Sequence, residues 1–165
     1  MRDSKRLELF EKLNREHAPF INAVMWKLTA DADLFAEALQ YAMLGIWQNL
    51  EKLTGPKAGA YIYRIALSAN SKAWRNRTGK NGQIPITKPP ENDALDEETL
   101  TIVRKEIAKL PEQQSQAIVM RYIEQSDYRL IADKLDCTED TARSHVSKAL
   151  NALRNNLAGK NLQES

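Results

Sequence analysis

The sequence predicts an all-α protein: two small helical domains joined by a flexible linker, the C-terminal one a helix-turn-helix. Three observations lead there. Apolar residues recur at helical spacing along almost the whole chain. The 165 residues include only six Gly and six Pro, fewer turn residues than a β-sandwich of this length needs. Of these breakers, two Gly and three Pro fall in one stretch without sustained period, TGKNGQIPITKPPEND at 78–93. The expected boundaries are 1–77 for the first domain, 78–94 for the linker and 95–165 for the second domain. Each half is short, so each core is modest.

Taken in order, Leu7, Phe10 and Leu13/Asn14 mark a first helix. A second is expected over 18–28 with Ile21, Val24 and Leu28 inward, and 30–33 as a break. The strongest helical pattern covers 34–50, with Phe35, Leu39, Ala42/Met43, Ile46 and Leu50 as one stripe. Gly55 and Pro56 stop it. The next helix, 58–76, turns Ile62, Ile65, Ala66, Ala69 and Ala73 to one side. Beyond the linker, helices are expected over 95–110 and 111–124, with Pro111 in a first turn where its missing N–H costs nothing. Ser126 and Asp127 open a short helix to about 136. Thr138 is the expected N-cap of a last helix to about 156, whose first-turn Glu139 and Asp140 complement the helix dipole.

Composition narrows the function. One cysteine excludes an intrachain disulfide and a cysteine-based zinc finger. The two histidines, His17 and His145, lie far apart, so no metal site is expected. No apolar run approaches the roughly 18 residues of a membrane span, so no membrane insertion is expected. The charged start, MRDSKRLELFEKLNREH, lacks the apolar core of a signal peptide, which makes a cytoplasmic protein the expectation. GKNG at 79–82 lacks the Lys-Ser/Thr ending of a phosphate loop, and there is no Ser-His-Asp set, so neither an enzyme nor a cofactor is expected. Net charge is only +2, but it is segregated. Eight basic and no acidic residues fall in 52–90, and five acids follow in 91–98. Such a basic stretch suits an anionic partner, or forms a solvated face with none.

Two motifs carry chemistry. The stretch YRLIADKLDCTEDTARSHVSKALN at 128–151 fits a helix-turn-helix. Ile131, Ala132 and Leu135 face inward from its first helix, and Ala142, Val146, Ala149, Leu150 and Leu153 from its second. Ala132 is small where the helices cross, Cys137 is expected as a small buried group in the turn, and Asp136 stands where such turns usually carry Gly. Ser144, Lys148 and Asn151 cluster opposite the apolar stripe, flanked by Arg143, Ser147 and Arg154. With Thr141, this surface can offer donors to bases and phosphates in a major groove; an ordinary αα-hairpin is the plain alternative. On helix 58–76, Tyr61, Arg64, Ser68, Lys72 and Arg75 fall in a sector of about 80°. Tyr63 and Trp74 flank it. Cations attract phosphates and rings stack on unpaired bases, although each ring could equally be a core edge.

Together the two halves resemble an extracytoplasmic-function (ECF) sigma factor, the smallest form of bacterial RNA polymerase specificity subunit. HAPFINAVMWKLTADADLFAEALQYAMLGIWQNL looks like the core-binding helices of sigma region 2, and AGAYIYRIALSANSKAWRNR like its promoter-melting helix. The stretch from Lys105 to Arg154, with its Leu-Pro-Glu-x-Gln start at Leu110, resembles region 4. The resemblance covers about residues 7 to 157. It departs from the family at Tyr41, where an acid usually ends an Asp-Leu-x-Gln-Glu run, at Ser68 and Lys72, where Asn and Asp are frequent, and at Asp136.

What the resemblance implies is specific. Glu37, Gln40, Tyr41, Leu44 and Gln48 would dock on RNA polymerase core, at the clamp of its largest subunit. Tyr61, Arg64, Ser68, Lys72, Trp74 and Arg75 would capture the melted −10 element of promoter DNA. Thr141, Arg143, Ser144, Ser147 and Lys148 would read the duplex −35 element. The linker would thread toward the active-site channel, its acidic end (Glu91, Asp93, Asp96, Glu97, Glu98) either a plain solvated segment or a mimic of nucleic acid there, and an anti-sigma factor, which commonly holds family members inactive, would be a further partner. The alternatives are a helix-turn-helix regulator that binds duplex DNA as a dimer, and a sigma-like adaptor or decoy that does not itself initiate transcription.

Overall fold

Residues 3–29 form one helix where the sequence suggests two. In the computed structural model, which describes residues 2–81 and 97–164 and the side chains of 2–77 and 97–158, α1 runs over Asp3–Thr29 with Pro19 inside it. A proline in a helix interior removes a hydrogen bond and costs about 3 kcal/mol. Leu13, Ile21, Val24, Met25 and Leu28 are buried along the same helix, on both sides of the proline, and that burial offsets the defect. The helix ends at Ala30, which is left-handed (φ 50°) and donates its N–H to Trp26 O at 2.8 Å. Asp31 then caps α2 (Ala32–Gln48) by accepting from Leu34 N at 2.8 Å. A single 3₁₀ turn, Leu50–Lys52, buries Leu50, and α3 spans Ala58–Asn81.

The buried stripe of α2 is rotated from the expected one. Leu34, Ala38, Ala42 and Ile46 are buried, while Phe35, Leu39 and Met43 are only half-buried. Large apolar residues dominate a periodicity reading, but small ones permit close helix packing. Gly45 shows how close: a Cβ there would lie 2.7 Å from Ile65 Cγ2 of α3. The bulky residues therefore cover a flank of α2 and leave the crossing to Ala and Gly. On α3, Ile62, Ala66, Ala69 and Ala73 are buried as expected, Ile65 is half-buried, and Tyr63 and Leu67 are buried beside them.

The described chain divides into two compact units, Met1–Ala73 and Trp74–Ser165. Helix α3 continues through Asn81, four residues into the stretch expected as linker. Residues 82–96, with Glu91, Asp93 and Asp96, lie outside the described residues; Glu97 and Glu98 open α4 (Glu97–Lys109). Then come α5 (Glu112–Ile118), capped by Pro111 rather than containing it, a wide π-helical turn at Val119–Ile123, α6 (Tyr128–Leu135) and α7 (Glu139–Glu164). Helix α7 packs on α4, α5 and α6, with Ala142, Val146, Ala149 and Leu153 buried and Leu150 half-buried. Asp127 caps α6 through Leu130 N (2.8 Å), and Thr138 caps α7 through Thr141 N (3.1 Å). Asp136 adopts the left-handed conformation (φ 55°, ψ 52°) that glycine usually takes, and Cys137 N bonds back to Ala132 O at 3.0 Å. No strand occurs among the described residues.

Candidate nucleic-acid and partner interfaces

The five residues expected to face a partner from α2 do not share one free surface. Gln40 and Leu44 line an open groove of about 800 Å³ between α1 and α2, together with Leu7, Phe10, Leu39, Met43 and Trp47. Leu44 is 55% exposed there and Leu7 50%. In the groove wall, Phe10 meets Trp47 edge-on at 5.6 Å, and Arg6 lies 4.9 Å over the Trp47 ring while donating to Trp47 O at 3.2 Å. Glu37 and Tyr41 are half-buried and tied together, with Tyr41 Oη donating to Glu37 Oε1 at 3.2 Å. Tyr41 in turn lies under Lys72 of α3, Nζ 4.4 Å from the ring centre. Gln48 is exposed. The sequence reading missed Leu7, Phe10 and Trp47 as groove residues. For Leu7 and Phe10 the signal is their helical spacing on α1, which by itself marks only a first helix; Trp47 carries no such signal.

On α3 the basic face is graded. Lys72 and Arg75 are exposed, and Tyr61, Arg64 and Ser68 are half-buried. Arg64 lies 5.2 Å over the Tyr61 ring, and Tyr61 Oη reaches Asn49 Oδ1 at 3.4 Å. Trp74 is placed differently from the expectation: it is 2% exposed, so its ring is packed inside and does not flank the face as a stacking platform. Tyr63 is likewise buried, 5.3 Å from Phe20 between ring centres. Among the described residues, the Asn70 side-chain oxygen is buried without a hydrogen-bond partner.

The α7 residues of the expected DNA-reading face lie at the surface. Thr141, Arg143, Ser144, Ser147 and Lys148 are all exposed near the start of the helix. Arg143 is the restrained member, 3.7 Å from Glu139 Oε2, 3.5 Å from Asp140 Oδ1 and 4.9 Å over the Tyr128 ring. Lys148 has no ion pair or ring contact among the described residues. In the turn, Cys137 is half-buried, more open than expected. Burial, and secondarily the Asp136 carboxylate, pushes its thiol up. Burial pushes the Lys134 ammonium down, with Glu124 and Asp133 pulling it back up. Among the described residues no His/Cys/Asp/Glu group could hold a metal ion, and no helix is long and apolar enough to cross a membrane.

Comparison with known proteins places both units. Residues 13–79 match the family model "Sigma-70 region 2", and residues 100–153 match "Sigma-70, region 4". The ECF RNA polymerase sigma-E factor of Salmonella typhimurium is 38% identical over 137 residues, 72% of this chain and 71% of the relative. The protein of the same name from Escherichia coli K12 is 28% identical over 137 residues, again 72% and 71% of the two chains. Among solved structures, the fold is shared with the sigma factor RpoE of Bartonella quintana, determined with the anti-sigma factor NepR. That likeness has a TM-score of 0.50 and 20% identity, over 90% of this chain and 96% of the other. With both region models matched in order, and a relative of this identity and coverage, the chain belongs to the ECF branch of the sigma-70 family, non-catalytic transcription initiation factors that bind RNA polymerase core and promoter DNA.

Proposed function

We propose that this chain acts in the cytoplasm to direct promoter-specific initiation through three faces. The α2 surface around Gln40, Leu44 and Gln48, with Glu37 and Tyr41 at its edge, docks on the clamp of the polymerase largest subunit. The α3 face of Tyr61, Arg64, Ser68, Lys72 and Arg75 captures the melted −10 strand. The α7 face of Thr141, Arg143, Ser144, Ser147 and Lys148 reads the −35 duplex. An anti-sigma factor inhibits by covering these surfaces, a reading supported by the Bartonella quintana protein, which was solved with such a partner.

The observation that carries this reading is Leu44. A leucine 55% exposed beside an apolar groove has no reason in the fold of this unit, since the buried stripe of its helix runs through Leu34, Ala38, Ala42 and Ile46. A protein partner that covers it supplies the reason. Leu44→Asp with Glu37→Lys tests it. The variant is expected to stay folded by circular dichroism, to lose co-purification with polymerase core and to lose run-off transcription. Unchanged co-purification removes the docking assignment. Core binding without transcription by the wild type favours a sigma-like adaptor or decoy.

A further inference from the structure

Five residues converge where α6 meets the start of α7, and only one of them, Arg143, belongs to the expected DNA-reading face. Arg121, in the wide turn, donates from Nη1 to Ser126 O at 3.1 Å, which fixes its guanidinium 4.4 Å from the centre of the Tyr128 ring. Tyr128 is half-buried at the first position of α6. The same ring carries Arg143 at 4.9 Å. Glu139 and Asp140, one turn before Arg143 on α7, approach its guanidinium at 3.7 and 3.5 Å. Both acids stand N-terminal to the arginine at i,i+4 and i,i+3, the favourable order on a helix.

We infer that Tyr128, Glu139 and Asp140 are positioning residues: they aim the Arg143 guanidinium at one base of the duplex and so set sequence specificity. The inference rests on the proposal that α7 reads the −35 duplex. A guanidinium is a planar fork whose two parallel N–H groups match O6 and N7 of guanine in the major groove. That match needs direction. A swinging arginine finds phosphate, which rewards charge in almost any orientation. Here the Tyr128 ring lies 4.9 Å from the guanidinium carbon and the two carboxylates stand 3.7 and 3.5 Å from its Nη atoms, which together bias the direction of the fork. Neither the ring nor the acids need to touch DNA. The two carboxylates also repel phosphate from this part of the surface, which weakens non-specific backbone binding by Arg143. Lys148 makes the contrast: exposed and unrestrained, it is suited to a phosphate contact.

Holoenzyme reconstituted from polymerase core and the full chain, selecting from a duplex library randomised across the upstream promoter element, tests this. The wild type is expected to enrich guanine at one position, and Arg143→Ala to abolish that preference alone. Tyr128→Ala, and separately Glu139→Gln with Asp140→Asn, should cut the same enrichment by about five- to tenfold while other positions keep theirs. Tyr128→Phe keeps the ring and should keep the preference; loss at the Arg143 position alone in Tyr128→Ala, with the other positions kept, is what a purely structural tyrosine would not produce. If Arg143→Ala abolishes the guanine but the Tyr128→Ala and the acid variants both leave it intact, the positioning role is overturned and duplex reading stands. Should Tyr128→Ala flatten every position, the unit has lost its fold, and the exposed acid pair decides alone. If Arg143→Ala changes no position and Lys148→Ala leaves holoenzyme binding to the duplex unweakened, the assignment of α7 to the duplex is itself wrong.

Discussion

Lys72 and Tyr41 touch: the ammonium of one lies 4.4 Å from the ring centre of the other, across the interface of α2 and α3. Both are positions at which the resemblance implies a departure from the family pattern, with an acid usual at 41 and frequent at 72, and the contact would pair the departures. An acid at 41 facing an acid at 72 would repel; a ring facing an ammonium attracts. The pair also joins a residue proposed at the edge of the polymerase face to one proposed for the DNA strand. Tyr41→Ala and Lys72→Ala should therefore couple. In a double-mutant cycle read by urea unfolding, the double variant is expected to be less destabilised than the sum of the singles by about 0.5–1 kcal/mol. Strict additivity would show that the contact contributes nothing.

Trp74→Ala is a packing test. With its ring 2% exposed, removal should lower stability by about 3–5 kcal/mol and eliminate a blue-shifted component of the fluorescence. A variant with an unchanged melting temperature and weakened binding to pre-melted promoter would return Trp74 to the strand-binding face.

Asp136 pays a backbone cost that glycine would avoid. Its left-handed conformation strains a side-chain-bearing residue by about 1 kcal/mol, and its charge stands at the unfavourable end of α6. Asp136→Gly should raise stability by about 0.5–1 kcal/mol, after allowing for the freer unfolded chain. A lower melting temperature would mean that the interactions of the Asp136 carboxylate outweigh the backbone strain.

Cys137 offers a pH-dependent signal. Burial first, and the Asp136 charge second, push its thiol up, so at a given pH the folded chain holds less thiolate than the unfolded one. Alkylation by iodoacetamide at mildly alkaline pH should be slower in the native protein than in urea. Asp136→Asn should accelerate it without reaching the unfolded rate. The sign for stability follows: the raised folded value gives a contribution present in full below the unfolded thiol's titration and lost as pH rises through the folded one. Equal native and unfolded rates would contradict this.

Lys148→Ala should weaken holoenzyme binding to all upstream sequences alike and make the salt dependence shallower by about one unit of slope. A loss confined to one base position would identify Lys148 as a base reader.

Much of the second unit was legible in the sequence because its determinants are local. The caps Asp127 and Thr138 precede their helices by fixed offsets, and the buried positions of α6 and α7 follow helical spacing. The first unit resisted where tertiary packing overrode local rules. Pro19 looks like a break, yet burial on both sides carries α1 through it. The core stripe of α2 runs through alanines, whose weak apolar signal is outweighed by Phe35, Leu39 and Met43 on the flank. For the candidate faces, exposure on α7 could be read from the helix wheel. The tethering of Arg143 could be read only in part: Glu139 and Asp140 stand at helix-neighbour spacing, whereas Tyr128 lies across a turn whose geometry no spacing reveals.

Gly45 has a consequence of another kind. The 2.7 Å that a Cβ there would leave to Ile65 Cγ2 makes this single residue the gauge that sets α2 against α3. The surface proposed for polymerase and the surface proposed for the opened strand sit on those two helices, so their mutual aim is calibrated at a point that touches neither. A methyl group at 45 would splay the pair and shift where on the template the strand is seized relative to the catalytic centre. Its signature would be a displaced transcription start on promoters still recognised, an error of alignment in an initiation complex that assembles normally.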